Sequence, residues 1–320
     1  MTDIGVPAEA RVLPGGAGQV VLLRRRIGPF GNLVLASRGP VWRDGVGTEA
    51  RGATLRLLAR DGLRLVEAEG PAAAADMRGA GYVRLVTPVH VAELDLTGGP
   101  GAGMARTRGK WRNRLQQARA MNLSLCEARF DPARHGWLLA AEAAQRRARR
   151  YHGLPAALTL AWAARHPAAA RVFWAELAGQ PLAGMLMLRH GPVATYHLGW
   201  SGDAGRRASA HHLILMQAAR WLADAGVQRL DLGTIDTETA PGLARFKIGA
   251  GAEVRPLGGS WLRVPFCGTG KPATLRLWGM SNSRHADVPD DPDDPFPMRG
   301  AGPAPDRPAA DHRAGAGSGR

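Results

Sequence analysis

Short apolar runs broken by glycine and proline alternate along the chain with longer stretches of helical period. Residues 19–27 and 32–37 read as strands, a helix over 48–60 turns Leu55 and Leu58 inward, and 63–66 is a further strand. Residues 72–77 and the extended 82–86 continue this small α/β unit, which Leu94-Asp95-Leu96 closes. Residues 1–18, rich in Gly, Ala and Pro without periodicity, read as a loose arm ahead of a first domain over 19–97. The stretch 98–103 is almost all glycine and proline and reads as a linker to a second domain over 104–265.

The second half opens with a sharply amphipathic helix over 106–121. Trp111, Leu115 and Ala118 line one face, and Lys110, Arg112, Asn113 and Arg114 lie on the rest. That basic face suits a phosphate-bearing ligand, and it equally suits the solvated side of a core helix. Asp131-Pro132 starts another helix that ends in Arg146, Arg147, Arg149 and Arg150, where arginines favour the helix dipole and could also meet a ligand. A helix over 154–165 follows. Strands over 171–177, 182–188 and 193–200 are joined by loops short enough to require antiparallel neighbours, and a helix covers 208–225. The fold class is therefore α/β (α+β), with mixed, mostly antiparallel sheets flanked by helices. From 266 to 320 the composition turns to Gly, Pro, Ala and an Asp-Pro run without apolar period, which reads as a disordered tail.

Residues 231–253 draw most of the candidate chemistry. A strand over 228–232 meets Gly233, where a backbone turns or a ligand approaches closely. Thr234, Asp236, Thr237, Glu238 and Thr239 follow as a polar loop, Pro241 opens a short helix containing Lys247, and a last strand lies near 253–264. Lys247 is one of only three lysines, with Lys110 and Lys271, in a chain holding 42 Lys+Arg. A lysine kept against that bias suits a compact ammonium placed beside developing negative charge; chance is the alternative. Asp231 and Asp236 are candidates for accepting or orienting an amine proton, or for anchoring a loop.

The charge of +15 sharpens this picture. The segment after 265 is neutral, so the excess belongs to the rest, a surface that attracts phosphates of RNA, a nucleotide-linked precursor, coenzyme A or anionic lipid, or one that serves solubility alone. No run approaches a membrane span, no export signal is apparent, and the two cysteines, Cys126 and Cys267, lack metal or disulfide spacing, which points to the cytoplasm. His211-His212 lacks zinc-ligand spacing, and no metal site is expected.

Arg38-Gly39-Pro40-Val41, Leu94-Asp95-Leu96, the basic helix around Lys110 to Ala118, and Asp231-Leu232-Gly233 followed by Gly242-Leu243-Ala244-Arg245-Phe246-Lys247-Ile248-Gly249 occur in the order of the FemAB-type aminoacyltransferase motifs. The chain resembles that family, part of the GNAT superfamily of N-acyltransferases, in a compact form without the helical arm. The resemblance implies two GNAT-like domains, with the closing strand returning to the first, and transfer of an acyl or aminoacyl group from acyl-CoA or aminoacyl-tRNA to an amine. A cell-wall precursor is one acceptor, a small-molecule amine another, and a basic binding module without catalysis is the remaining reading. No tightly bound cofactor and no DNA partner are implied; contact with an anionic membrane surface is. Lys247 would stabilise the oxyanion, with Asp231 and Asp236 as further catalytic candidates. Lys110, Arg112, Asn113, Arg114, Arg245 and Phe246 would bind substrate, as would Tyr196 and Trp200, which alternate with His197 along a strand. Where relatives carry a glycine-containing pyrophosphate loop, this chain has Arg206, Arg207, Ala208, Ser209 and Ala210, candidates for holding the co-substrate.

Overall fold

A computed structural model describes residues 7–26, 32–99, 105–151 and 153–263. The described strands are β1 Ala8–Val12, β2 Gly18–Arg26, β3 Asn32–Ala36, β4 Val41–Trp42, β5 Leu63–Ala68, β6 Tyr82–Val86 and β7 His90–Asp95, with helices α1 Thr48–Arg60 and α2 Ala73–Gly79 between them. Then come α3 Gly109–Ala120, β8 Ser124–Arg129, α4 Pro132–Arg149, α5 Ala156–Arg165, β9 Ala170–Leu177, β10 Gln180–His190 and β11 Val193–Ser201. The last elements are α6 Asp203–Arg207, α7 Ala210–Asp224, β12 Arg229–Ile235, α8 Pro241–Gly249, β13 Glu253–Pro256 and β14 Gly259–Arg263.

They build two seven-stranded sheets. The first runs β1-β2-β3-β5-β14-β6 with β4 added to β2, and the second runs β13-β7-β12-β11-β10-β9-β8. Only β3–β5 and β11–β12 are parallel, and each of these needs a crossover, which α1 and α7 supply. In the first sheet α1 and α2 bury Leu55, Leu58 and Met77 against Leu22, Val66 and Trp261. The second sheet is covered on both faces. Trp111 and Leu115 of α3 and Ile214 and Leu215 of α7 pack with Phe173, Met185 and Leu230, while Leu138 of α4 and Ala163 of α5 pack with Val172 and Leu186 on the other side. Alternation along β9 sends Val172 and Phe173 to opposite cores.

Several expectations change. Of the arm expected over 1–18, residues 8–12 form a strand paired with β2 and Leu13 is core, so small residues disguised a real sheet edge. The expected boundaries do not divide the sheets: β7, from the first half, pairs with β12 and β13, and β14, from the second half, lies between β5 and β6. What reads as one closing strand is two, β13 and β14, in different sheets. Residues 124–129 form the edge strand β8, for which the pattern gave no expectation. The strand near 228–232 runs on to Ile235 through Gly233, which sits at φ 81° where the pairing of β12 with β7 slips between Asp231 and Thr234. Most of the linker over 98–103 and all of the tail over 266–320 lie outside the described residues. No helix among the described residues is long and apolar enough to cross a membrane.

Candidate active site

The parallel strands β11 and β12 pair only through Val193–Arg229, Ala194–Leu230 and Thr195–Asp231, although β11 continues to Ser201 and β12 to Ile235. Both carry an irregularity where pairing stops. On β11, Leu186 faces Leu198 and Met187 faces Tyr196, which leaves His197 as an extra bulged residue. On β12, the register with β7 slips at Leu232-Gly233. The two strands therefore run on unpaired with each other at their carboxyl ends, and this wedge is the position where open α/β sheets admit ligands.

The bulge also corrects an expectation. Tyr196 packs against the core that holds Met187 and Trp111, whereas Leu198 and Trp200 pack against the opposite core, because one inserted residue reverses the alternation. Tyr196 and Trp200 do not share a face. Trp200 stacks edge-on with Trp137 at 5.9 Å, a packing role. Burial raises the Tyr196 phenol well above its ordinary value, with the nearby Tyr151 and Glu142 adding to the shift. Thr159 Oγ1 of α5 and His197 Nε2 share a hydrogen bond of 2.7 Å, which pins the bulge from behind.

Lys247 lies on α8, which packs beside β12. It is 5% exposed, and its Nζ donates to the Thr234 carbonyl at 2.8 Å. A side chain at Gly233 would place its Cβ 3.7 Å from that Nζ. Burial lowers the Lys247 ammonium to about 8, against a smaller upward pull from Asp231. Asp231 ties the bend at Gly233 to the first sheet: Oδ1 accepts from Gly233 N–H at 2.7 Å and Oδ2 accepts from Arg38 Nη1 at 2.7 Å.

Arg38, which follows β3 in the first sheet, links both sheets. Its Nε and Nη2 donate to Glu69 at 2.6 and 2.9 Å while Nη1 reaches Asp231. Arg255 of β13 donates to Glu69 and to Glu93 of β7 at 2.6 and 2.9 Å. Burial would raise the Glu69 carboxyl, but its bonds to Arg38 and Arg255 outweigh that and hold it below the ordinary range. Arg38 entered the sequence reading only within a motif, and Glu69, Glu93 and Arg255 did not enter at all. Their separation along the chain hides a cluster that the sheet order creates.

Asp236 is also a loop anchor. Its Oδ1 accepts from Glu238 and Thr239 N–H at 2.9 and 2.8 Å and its Oδ2 from the Thr239 hydroxyl, bonds that lower its carboxyl below the ordinary range. Arg245 is exposed, with Nε donating to the Pro241 carbonyl at 3.2 Å, on the other side of α8 from Lys247. Phe246 instead joins Trp111 at 6.2 Å and His212 at 5.2 Å. Trp111 and His212 are 4.9 Å apart, so α3, α7 and α8 meet in one aromatic contact beside the wedge. Gly249 permits it, since a Cβ there would lie 2.9 Å from Trp111 Cδ1. Lys110, Arg112 and Asn113 sit on the exposed face of α3, where Arg112 Nη1 donates to the Thr107 carbonyl at 3.0 Å, and Arg114 is half-buried near His212.

At the start of α7, Ser209 adopts φ 52°, the left-handed conformation that a glycine would take most easily, and makes no side-chain cap. Arg206 turns back to the Ser201 carbonyl and the Asp203 carboxylate, so it does not stand over the α7 N-terminus; Arg207 is exposed and Ala210 is core. His211 donates through Nε2 to the Trp200 carbonyl at 3.0 Å. Burial lowers His211 and His212 to about 4, leaving both neutral near pH 7. Among the described residues no group of three or more His, Cys, Asp and Glu could hold a metal ion.

Residues 105–247, which include the wedge, α7 and Lys247, match the family model described as an acetyltransferase (GNAT) domain. Over these residues the chain carries a GNAT-type domain. It is an acyltransferase. This GNAT protein is similar in fold to FemX, at a TM-score of 0.66 and 13% identity over 80% of this chain and 88% of that one. It is also similar to the C-terminal domain of a putative lysylphosphatidylglycerol synthetase from Agrobacterium fabrum, at a TM-score of 0.53 and 13% identity over 80% and 84%. The third is L-PGS from Bacillus licheniformis, at 0.52 and 12% over 81% and 84%. No curated protein matches this GNAT chain by sequence.

Proposed function

We propose that this protein moves an acyl or aminoacyl group from an activated donor, acyl-CoA or aminoacyl-tRNA, to an amine in the wedge between β11 and β12. The observation that carries the reading is Lys247, a buried ammonium held against the Thr234 carbonyl beside the wedge. The neutral amine attacks the donor carbonyl carbon and a C–N bond forms. The negative charge gathers on the carbonyl oxygen, and Lys247 stands where it can meet that charge in a water-poor setting. Collapse expels the thiolate of CoA or the ribose oxygen of tRNA with its electron pair, and the amine proton passes to that leaving group or to solvent. Asp231 holds Arg38 in place and sets a negative charge near Lys247, and the α7 N-terminus with Lys110 and Arg114 receives phosphate of the donor or acceptor. The fold shared with a lysylphosphatidylglycerol synthetase domain is compatible with an aminoacyl donor, and an amine of a cell-wall precursor made in the cytoplasm is an acceptor to assay first.

Titration with acetyl-CoA and, separately, with a mixed aminoacyl-tRNA pool at two salt concentrations tests the reading. A tRNA donor binds with a steep loss of affinity on adding salt, and CoA with a shallow one, because fewer counterions are released. Lys247→Ala then lowers turnover by about 100-fold or more while weakening donor binding little. Normal turnover in that variant removes Lys247 from the mechanism.

A further inference from the structure

A cavity of about 580 Å³ opens where β8 and β9 meet the start of α4, at the far end of the second sheet from the wedge. Phe130, Trp137 and Trp174 give it aromatic walls. Trp174 of β9 and Trp200 of β11 flank Gly184 of β10 in register, and Trp137 fills the space over that glycine, where a Cβ would lie 3.0 Å from Trp137 Cη2. The indole Nε1–H of Trp174 donates to Glu176 Oε2 at 3.0 Å, which fixes the ring. Rings held in this way present ready-made faces for another aromatic group.

His135 supplies the polar wall. It is 6% exposed and stands 5.4 Å from Trp174 and 6.1 Å from Phe130. Its Nδ1 accepts from the Asp131 N–H at 2.9 Å, so the neutral ring carries its proton on Nε2, and burial favours that neutral ring. The Nε2–H finds no partner among the described residues. A donor buried this far and left unpaired costs stability until a ligand meets it. Arg134, which also lines the cavity, is exposed and in no ion pair among the described residues. Asp131 caps α4 through Oδ1, which accepts from the Ala133 N–H at 2.9 Å, and its Oδ2 has no partner among the described residues.

His135 and Arg134 are thus donors for a carboxylate, Asp131 is an acceptor for an ammonium, and the rings accept a planar side chain. A plain aromatic carboxylate or a phosphate would meet a like charge at Asp131. An α-amino acid with an aromatic side chain satisfies all three groups from one carbon.

We infer that this cavity binds a free aromatic α-amino acid, with its carboxylate on His135 Nε2 and Arg134, its ammonium on Asp131 and its ring among Phe130, Trp137 and Trp174. The inference is independent of the acyl donor, because the cavity shares no residue with the wedge.

Calorimetric titration of the full chain tests it, with L-tryptophan, L-phenylalanine, L-alanine, phenylpropionate, which lacks the ammonium, and phenylethylamine, which lacks the carboxylate. The two aromatic amino acids should bind with Kd of about 1 mM or below, and L-alanine about tenfold more weakly or worse. His135→Asn keeps an acceptor near Nδ1 for the Asp131 N–H and removes the far donor. It should weaken L-phenylalanine by about tenfold or more and leave phenylethylamine unchanged. Asp131→Asn still caps the helix, and should weaken L-phenylalanine by about threefold without weakening phenylpropionate. Arg134→Gln, at an exposed position that does not endanger folding, is the second reading: about threefold weaker L-phenylalanine and phenylpropionate, with phenylethylamine unchanged. Absence of binding by both aromatic amino acids, equal affinity for L-alanine, or L-phenylalanine binding that Arg134→Gln leaves untouched would overturn the inference. So would a folded His135→Asn variant that loses phenylethylamine and L-phenylalanine to the same degree.

Discussion

Arg38 and Asp231 are 193 residues apart in sequence and 2.7 Å apart across the seam between the two sheets. One guanidinium spans Glu69, just past β5 of the first sheet, and Asp231 of the second sheet, using three of its nitrogens. Removing it leaves Asp231, 7% exposed, without its cation. Arg38→Met should therefore lower stability by about 2 kcal/mol, a value reduced from that of a fully buried pair because the Arg38 side chain is partly exposed. Arg38→Lys should recover little, since one ammonium cannot reproduce the fork. Urea unfolding of the three proteins measures both.

Lys247 couples stability to pH. Its folded value of about 8 lies below the ordinary 10.5, so the unfolded chain binds the extra proton between those limits and stability gained from this group rises with pH across them. Below pH 8 the buried ammonium bears its full desolvation cost. Lys247→Met should thus be most favourable to stability near pH 7 relative to the native chain, and lose about 3 kcal/mol of that advantage by pH 10.5. Paired melts across this range test it, and a constant difference would mean that Lys247 titrates normally.

Ser209 begins α7 at φ 52° without capping it. Ser209→Gly should raise stability by about 0.5–1 kcal/mol because glycine takes that conformation without a Cβ penalty, and Ser209→Val should lower it. If the α7 N-terminus receives a pyrophosphate, the glycine variant should bind CoA at least as tightly as the native protein in calorimetry.

Gly249 lets α8 approach α3. A Cβ there would meet Trp111 Cδ1 at 2.9 Å, so Gly249→Ala should cost about 1–3 kcal/mol and shift the Trp111–Phe246–His212 contact. Thermal melting together with near-ultraviolet circular dichroism of the tryptophan region would record both effects.

Local pattern alone determined much of this protein. The period of Trp111, Leu115 and Ala118 defines α3, the short loops around 179 and 191 force β9, β10 and β11 to be antiparallel, and the scarcity of lysine singles out Lys247. These features depend on neighbours a few residues away, and sequence carries such information directly. Tertiary structure decided the rest. That β7 and β14 exchange sheets is a matter of partner choice, which an apolar strand does not encode by itself. That Tyr196 and Trp200 part company follows from one bulged residue opposite β10, and that Asp231 is an occupied anchor follows from an arginine on the other sheet. Periodicity gives the existence of a face; only packing fixes which way it points.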